Sequence, residues 1–162
     1  MSARLEGITG RYAHIEIEGK AHRLYFEEAG QGIPLICLHT AGSDGRQFRA
    51  VLNDPEITRT YRVIAFDMPW HGKSSPPEGW QAEDYQLTTG AYTRQIMAVA
   101  KALGLDRPVV MGCSNGGRLG LHPALEHPPQ LRSLLGPAAR AFREPSSQPA
   151  RPPHPHAPRP HG

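Results

Sequence analysis

The stretch Pro108-Val109-Val110-Met111-Gly112-Cys113-Ser114-Asn115-Gly116 decides how this sequence is read. An apolar run of strand length ends on Gly112, and residues 115–126 then carry a helical pattern, so Ser114 falls on the turn between a strand and a helix. A serine hydroxyl is a weak nucleophile at neutral pH; it needs a base beside it and donors aimed at the oxyanion that forms on attack. A sharp strand-to-helix turn lifts the hydroxyl clear of the backbone, and the small flanking residues Gly112 and Gly116 keep that turn free of clashes. Ser114 is therefore the candidate catalytic residue. The bland alternative is a glycine-rich strand end with an exposed serine.

Working outward, the same strand-then-turn pattern recurs upstream. Residues 12–18 and 22–28 alternate in polarity about the turn residues Gly19 and Lys20, which predicts a hairpin. Ile33–Leu38 and Tyr61–Phe66 are nearly continuous apolar runs, suited to strands buried on both faces. Between them residues 46–53 fit a short helix before Asp54-Pro55, and residues 91–103 carry apolar side chains on one helical face, stopped by Gly104. Residues 131–135 read as one more strand. Strands and helices alternating with short connections predict a three-layer α/β/α fold, with a mostly parallel sheet and an antiparallel N-terminal hairpin.

Three further motifs stand in chain order: His39-Thr40-Ala41-Gly42 after the first apolar run, Asp67 to Ser74 as Asp-Met-Pro-Trp-His-Gly-Lys-Ser after the second, and Leu125-Glu126-His127-Pro128 at the end of the helix after Ser114. Together with Gly112-Cys113-Ser114-Asn115-Gly116, they resemble the α/β-hydrolase family over residues 20–136. The first resembles the His-Gly-x-Gly oxyanion loop, with Thr40 in place of a glycine, and the second is similar to the segment Asp-x-x-Gly-His-Gly-x-Ser. The resemblance implies an incomplete α/β-hydrolase fold, Ser114 as nucleophile, and an oxyanion hole made by the backbone N–H groups of Ala41 and Asn115. It also implies a small-molecule acyl substrate, cleaved at an ester, thioester, amide or carbon–carbon bond, and it calls for no cofactor or metal. A serine at this turn argues against the branches that use aspartate, such as haloalkane dehalogenases and epoxide hydrolases.

Side residues are weighed against simpler roles. His39 and His71 lie near the mouth of the expected site, where hydrogen bonding within loops is the better account, and Asp67 is expected to fix the loop that follows it. His39, Trp70 and Trp80 are candidate pocket residues, as is Tyr85. Cys113 and Cys37 sit in apolar runs and point to packing and reduced thiols.

The net charge of +3 gives no argument for a nucleic-acid partner, and the first ten residues lack the apolar core of a secretory signal. No apolar stretch nears the roughly 20 residues needed to cross a bilayer. A soluble cytoplasmic protein with no membrane partner is expected, and the sequence leaves its oligomeric state open.

Composition divides the chain into residues 1–136, the partial hydrolase-like domain, and residues 137–162, a tail with eight prolines, four arginines, three histidines and one acid, Glu144. That tail is expected to be disordered, because too few apolar side chains remain to offset the entropy of ordering it. His154, His156 and His161 are read as solvated rather than as metal ligands. In the family the triad acid and histidine follow the serine, whereas here Glu126 and Glu144 are the only acids after Ser114. Pro123 and Gly120 weaken the expected helix after the serine. A truncated or frame-shifted hydrolase with little activity alone is the first expectation; a non-catalytic hydrolase-like binder is the second.

Overall fold

The computed structural model describes residues 3, 5–82, 88–112 and 130–135. Among these, six strands form one mixed sheet in the order β1-β2-β4-β3-β5-β6. The strands are β1 (Thr9–Ile17), β2 (Lys20–Ala29), β3 (Ile33–Leu38), β4 (Tyr61–Phe66), β5 (Val109–Gly112) and β6 (Ser133–Leu135). The β1–β2 and β2–β4 pairs are antiparallel, while β3–β4, β3–β5 and β5–β6 are parallel. The expected fold class is the one observed.

The near-continuous apolar runs are explained by burial on both faces of the sheet. Leu35 and Cys37 of β3, Val63 and Ala65 of β4 and Val109 of β5 pack against Phe48 and Leu52, on the side of the short helices α1 (Arg49–Leu52) and α2 (Pro55–Thr58). Their alternates Ile36, Leu38, Ile64, Phe66 and Val110 pack on the opposite face against Ile96, Val99 and Ala100 of α3 (Thr89–Ala102). With period 2 along each strand, every second residue feeds one of two cores, so the buried positions are apolar on both faces and Arg62 stands at the half-exposed start of β4. Ile96 is fully buried; truncating such a residue to alanine costs about 2–5 kcal/mol. The Thr88 hydroxyl caps α3 by accepting from the Ala91 N–H at 3.2 Å, a contact worth about 1 kcal/mol.

Two local expectations shift by a residue or more. The hairpin turn lies at Glu18-Gly19, not Gly19-Lys20, because Lys20 already pairs with Ile17. Both central residues have positive φ, 53° and 76°, as a two-residue turn that matches strand twist requires. The Glu18 carboxylate also meets Arg94 of α3, whose Nε lies 2.6 Å away, in an exposed ion pair. Residues 45–52 form a 3-10 turn, Gly45–Phe48, running into α1, and α2 is an addition the sequence reading did not place. Its signal was legible: Asp54 caps the Glu56 and Ile57 N–H groups, and Pro55 opens the first turn.

The connections fix where a site can lie. From β3 the chain passes to β4 on one side through α1 and α2; from β4 it crosses back over β3 to β5 through α3 on the other face. Opposite directions on opposite faces give both crossovers the same hand. From β3 the chain leads toward β4 while β6 lies on the far side of β5, so the topological switch point falls between the carboxyl ends of β3 and β5, where the crevice of an open α/β sheet usually takes its ligand.

Candidate functional site

Leu38, the last residue of β3, pairs with Gly112, the last residue of β5. Neighbouring strands run about 4.8 Å apart, so the carboxyl ends of β3, at Leu38, and of β5, at Gly112, lie side by side at the switch point. Cys113, Ser114, Asn115 and Gly116 lie outside the described residues, as do Tyr85, the expected helix 115–126 and the tail. Gly112 itself is buried at the end of β5.

After β3, Thr40 to Ser43 make a tight turn, with the Ser43 N–H donating to the Thr40 carbonyl at 3.1 Å. Gly42, with φ 75°, supplies the left-handed third position of that turn. Ala41 occupies the second position and is exposed. The Gln47 side chain accepts the Thr40 N–H at 3.0 Å. His39 is buried below this turn. Its Nδ1 lies 2.9 Å from the Thr40 carbonyl, and its Nε2 accepts the Met68 N–H at 3.0 Å. A ring that donates from Nδ1 and accepts at Nε2 is neutral, and burial lowers its pKa from 6.5 despite the favourable Thr40 carbonyl. His39 thus joins the β3 loop to the β4 loop, with both nitrogens committed.

The β4 loop is organised by Asp67. Its buried carboxylate accepts from Gly45 N–H and Lys73 N–H, each at 2.7 Å. The Asp67 N–H donates to the Tyr25 carbonyl, and the Asp67 carbonyl accepts from the Ser74 hydroxyl at 2.6 Å. Ser74 in turn accepts the Tyr25 N–H at 2.9 Å, tying the loop to β2. Gly72 has φ 52°, and a Cβ there would run into the Asp67 carboxylate. Asp67 holds loops, as expected. Ser74, Gln47 and Gly45 were not singled out, although Ser74 stood inside the quoted motif; Gln47 and Gly45 carry no sequence signal, since their roles depend on tertiary approach.

His71 donates from Nδ1 to the Pro69 carbonyl, 2.9 Å away, and its ring packs at 5.0 Å from that of His39. Trp70 has φ 71°, a left-handed conformation costing about 1–2 kcal/mol for a residue with a Cβ. It stands at the place where the segment Asp-x-x-Gly-His-Gly-x-Ser has its first glycine, so the backbone course is kept while the side chain is not. The Trp80 ring meets the Trp70 ring edge to face at 5.0 Å.

A cleft of about 250 Å³ lies beside Asp67, lined by residues including Tyr25, Glu27, Asp44 and Lys73. None of its lining residues is His39, Ala41, Gly112, Trp70 or Trp80, so it is set apart from the crevice. Asp44 is held below the usual carboxylate range chiefly by its hydrogen bonds from the Arg46 side chain. Cys37 is fully buried, and burial pushes its thiol up to about 12, an inert packing cysteine. Among the described residues no group of three or more histidine, cysteine or acidic side chains is placed to hold a metal. Among them, too, no helix is long and apolar enough to cross a membrane.

The profile of the family described as alpha/beta hydrolase fold matches residues 33–150. The chain belongs to that family. Among its relatives, the 2-hydroxymuconate semialdehyde hydrolase of Pseudomonas sp. (strain CF600) is 30% identical over 74% of this hydrolase-fold chain and 41% of its own length. The proline iminopeptidase of Xylella fastidiosa (strain 9a5c) is 34% identical over 70% of the chain and 35% of its own length. The 2-hydroxy-6-oxo-6-phenylhexa-2,4-dienoate hydrolase of Comamonas testosteroni is 31% identical over 83% and 46%. The chain spans less than half the length of these relatives. An epoxide hydrolase structure from Vigna radiata superposes with a TM-score of 0.72, at 20% identity over 88% of this chain and 44% of that one. This likeness is one of fold.

Proposed function

We propose that this hydrolase-fold chain carries the nucleophile and oxyanion portion of a serine hydrolase site, with Ser114 as the residue acylated by a small-molecule substrate. The observation that carries this reading is the Leu38–Gly112 pairing at the switch point. It sets the start of Gly112-Cys113-Ser114-Asn115-Gly116 beside the Thr40–Ser43 turn. In this reading the Ser114 hydroxyl oxygen attacks the acyl carbon, the leaving group departs with a proton, and the Ala41 and Asn115 N–H groups stabilise the oxyanion. The bond cleaved is an ester, thioester, amide or carbon–carbon bond; the relatives named as hydrolases and as an iminopeptidase support that range.

The chain alone is a poor catalyst in this reading. Attack requires a base for the hydroxyl proton, and His39 cannot supply it, because both its nitrogens are engaged in the loops. Serine-protease sites stripped of triad members keep only a residual acceleration of roughly 10³–10⁴ over water. Ser114 should therefore be acylated slowly by p-nitrophenyl acetate, faster with added imidazole, and not at all in Ser114→Ala. Turnover in the ordinary range of about 1–1000 per second would show that a base is present and overturn this part of the reading. The change of composition at Pro137 supports a frame-shifted reading of the residues that follow it. Sequencing the locus tests it: another downstream frame should encode an acid after a strand pattern and a later histidine.

A further inference from the structure

Trp70 keeps a conformation that suits glycine, although a glycine there would be unstrained. A bulky ring held against that cost calls for a return elsewhere, and its partner shows what kind. Trp80, 40% exposed, meets it at 86° and 5.0 Å, so the two rings form a right-angled corner. Trp80 is itself set by a 3-10 turn, with its N–H donating to the Pro77 carbonyl. His71, the next residue after Trp70, packs on His39 at the end of β3, which brings this corner to the strand ends that border the crevice. A corner of two aromatic rings offers a third flat ring one face to stack on and one edge to meet. A saturated ring of equal size has no quadrupole to use there.

We propose that Trp70 and Trp80 form a specificity wall that receives a planar aromatic group in the acyl part of the substrate. The proposal rests on reading the strand ends as an acyl-transfer site, and it narrows the substrate to aryl-bearing acyl compounds. Trp70 and Trp80 are the two tryptophans of the chain, so its tryptophan fluorescence reports on this corner and nothing else.

The test titrates the full chain with 4-phenylbutyrate and with 4-cyclohexylbutyrate, following that fluorescence and, independently, calorimetric heat. A saturable response is expected with phenylbutyrate roughly two- to tenfold tighter, the size of a favourable ring–ring contact. Trp70→Gly should remain folded by far-ultraviolet circular dichroism, be more resistant to urea than Trp70→Ala, and lose the discrimination between the two ligands. Trp80→Phe, which keeps an aromatic ring, should retain it. No saturable binding, equal or reversed affinities, or unchanged discrimination in Trp70→Gly would overturn the proposal. If the rings are discriminated but Ser114 is never acylated by p-nitrophenyl acetate with imidazole, the wall stands and the serine reading falls.

Discussion

The loops leaving β3 and β4 start from neighbouring parallel strands of the same length, yet they are built in opposite ways. The β4 loop is bound at almost every polar group: the Asp67 carboxylate takes two backbone donors, Ser74 links Asp67 to β2, and the Ser75 and Glu78 N–H groups reach the Arg23 and Ala21 carbonyls. The β3 loop is tied at its base by His39 and by one exposed contact from Gln47, and its turn leaves Ala41 exposed. The difference teaches a division of labour. One loop is built around a buried carboxylate, and the other is lightly held with the backbone of its turn at the surface.

The contrast is sharpest at Asp67. We expect Asp67→Ala to lower unfolding free energy by about 3–5 kcal/mol in urea, since a buried and a half-buried N–H donor lose a charged acceptor. A loss under about 1 kcal/mol would mean the β4 loop is not the rigid partner. Gly72→Ala should cost about 2–4 kcal/mol, through its left-handed backbone and the collision with Asp67. In the Asp67→Ala background it should cost distinctly less, because the carboxylate is gone; strict additivity would show that the two do not meet. At the other extreme, Gln47→Ala should cost only about 0.5 kcal/mol, since its bond to the Thr40 N–H is exposed.

A pH titration probes the His39 link between the two loops. His39 and His22 both have pKa values lowered from 6.5, in each case chiefly by burial. A folded state that resists protonation is at full stability above pH 6.5, and loses stability as pH falls from 6.5 toward the lowered values. For His39 the groups that face it are Asp67 and Asp44, which favour its charged form, and His71, which opposes it. His39→Gln should flatten the decline by removing its share, leaving that of His22. An unchanged slope would mean that His39 is not held neutral.

Much of this was legible from the sequence, for identifiable reasons. Ile33–Leu38 and Tyr61–Phe66 match strands residue for residue, because burial on both faces writes a nearly continuous apolar run, broken only by Arg62 where β4 is half-exposed. The helix expected at residues 91–103 is found as Thr89–Ala102, since its capping hydroxyl lies before the apolar face begins. The hairpin turn was displaced by one residue because the strand register, which pairs Ile17 with Lys20, decides it, and Glu18 carries no turn signal of its own. His39 and Asp67 were readable as loop-holding residues from their places in motifs. Their partners Gln47 and Gly45 were not, since only the folded chain brings them within reach. The strained Trp70 could have been found by noting which motif position it occupies.

The central claim is that the β3–β5 crevice holds a nucleophilic serine, and acylation mapping tests it most directly. The intact chain and Ser114→Ala would be incubated with p-nitrophenyl acetate and imidazole, digested, and the acetylated peptides located by mass spectrometry. The account predicts slow acetylation on the peptide containing Ser114, accelerated by imidazole and absent from the variant. Acetylation confined to lysines or other serines, and equal in the two proteins, would contradict it.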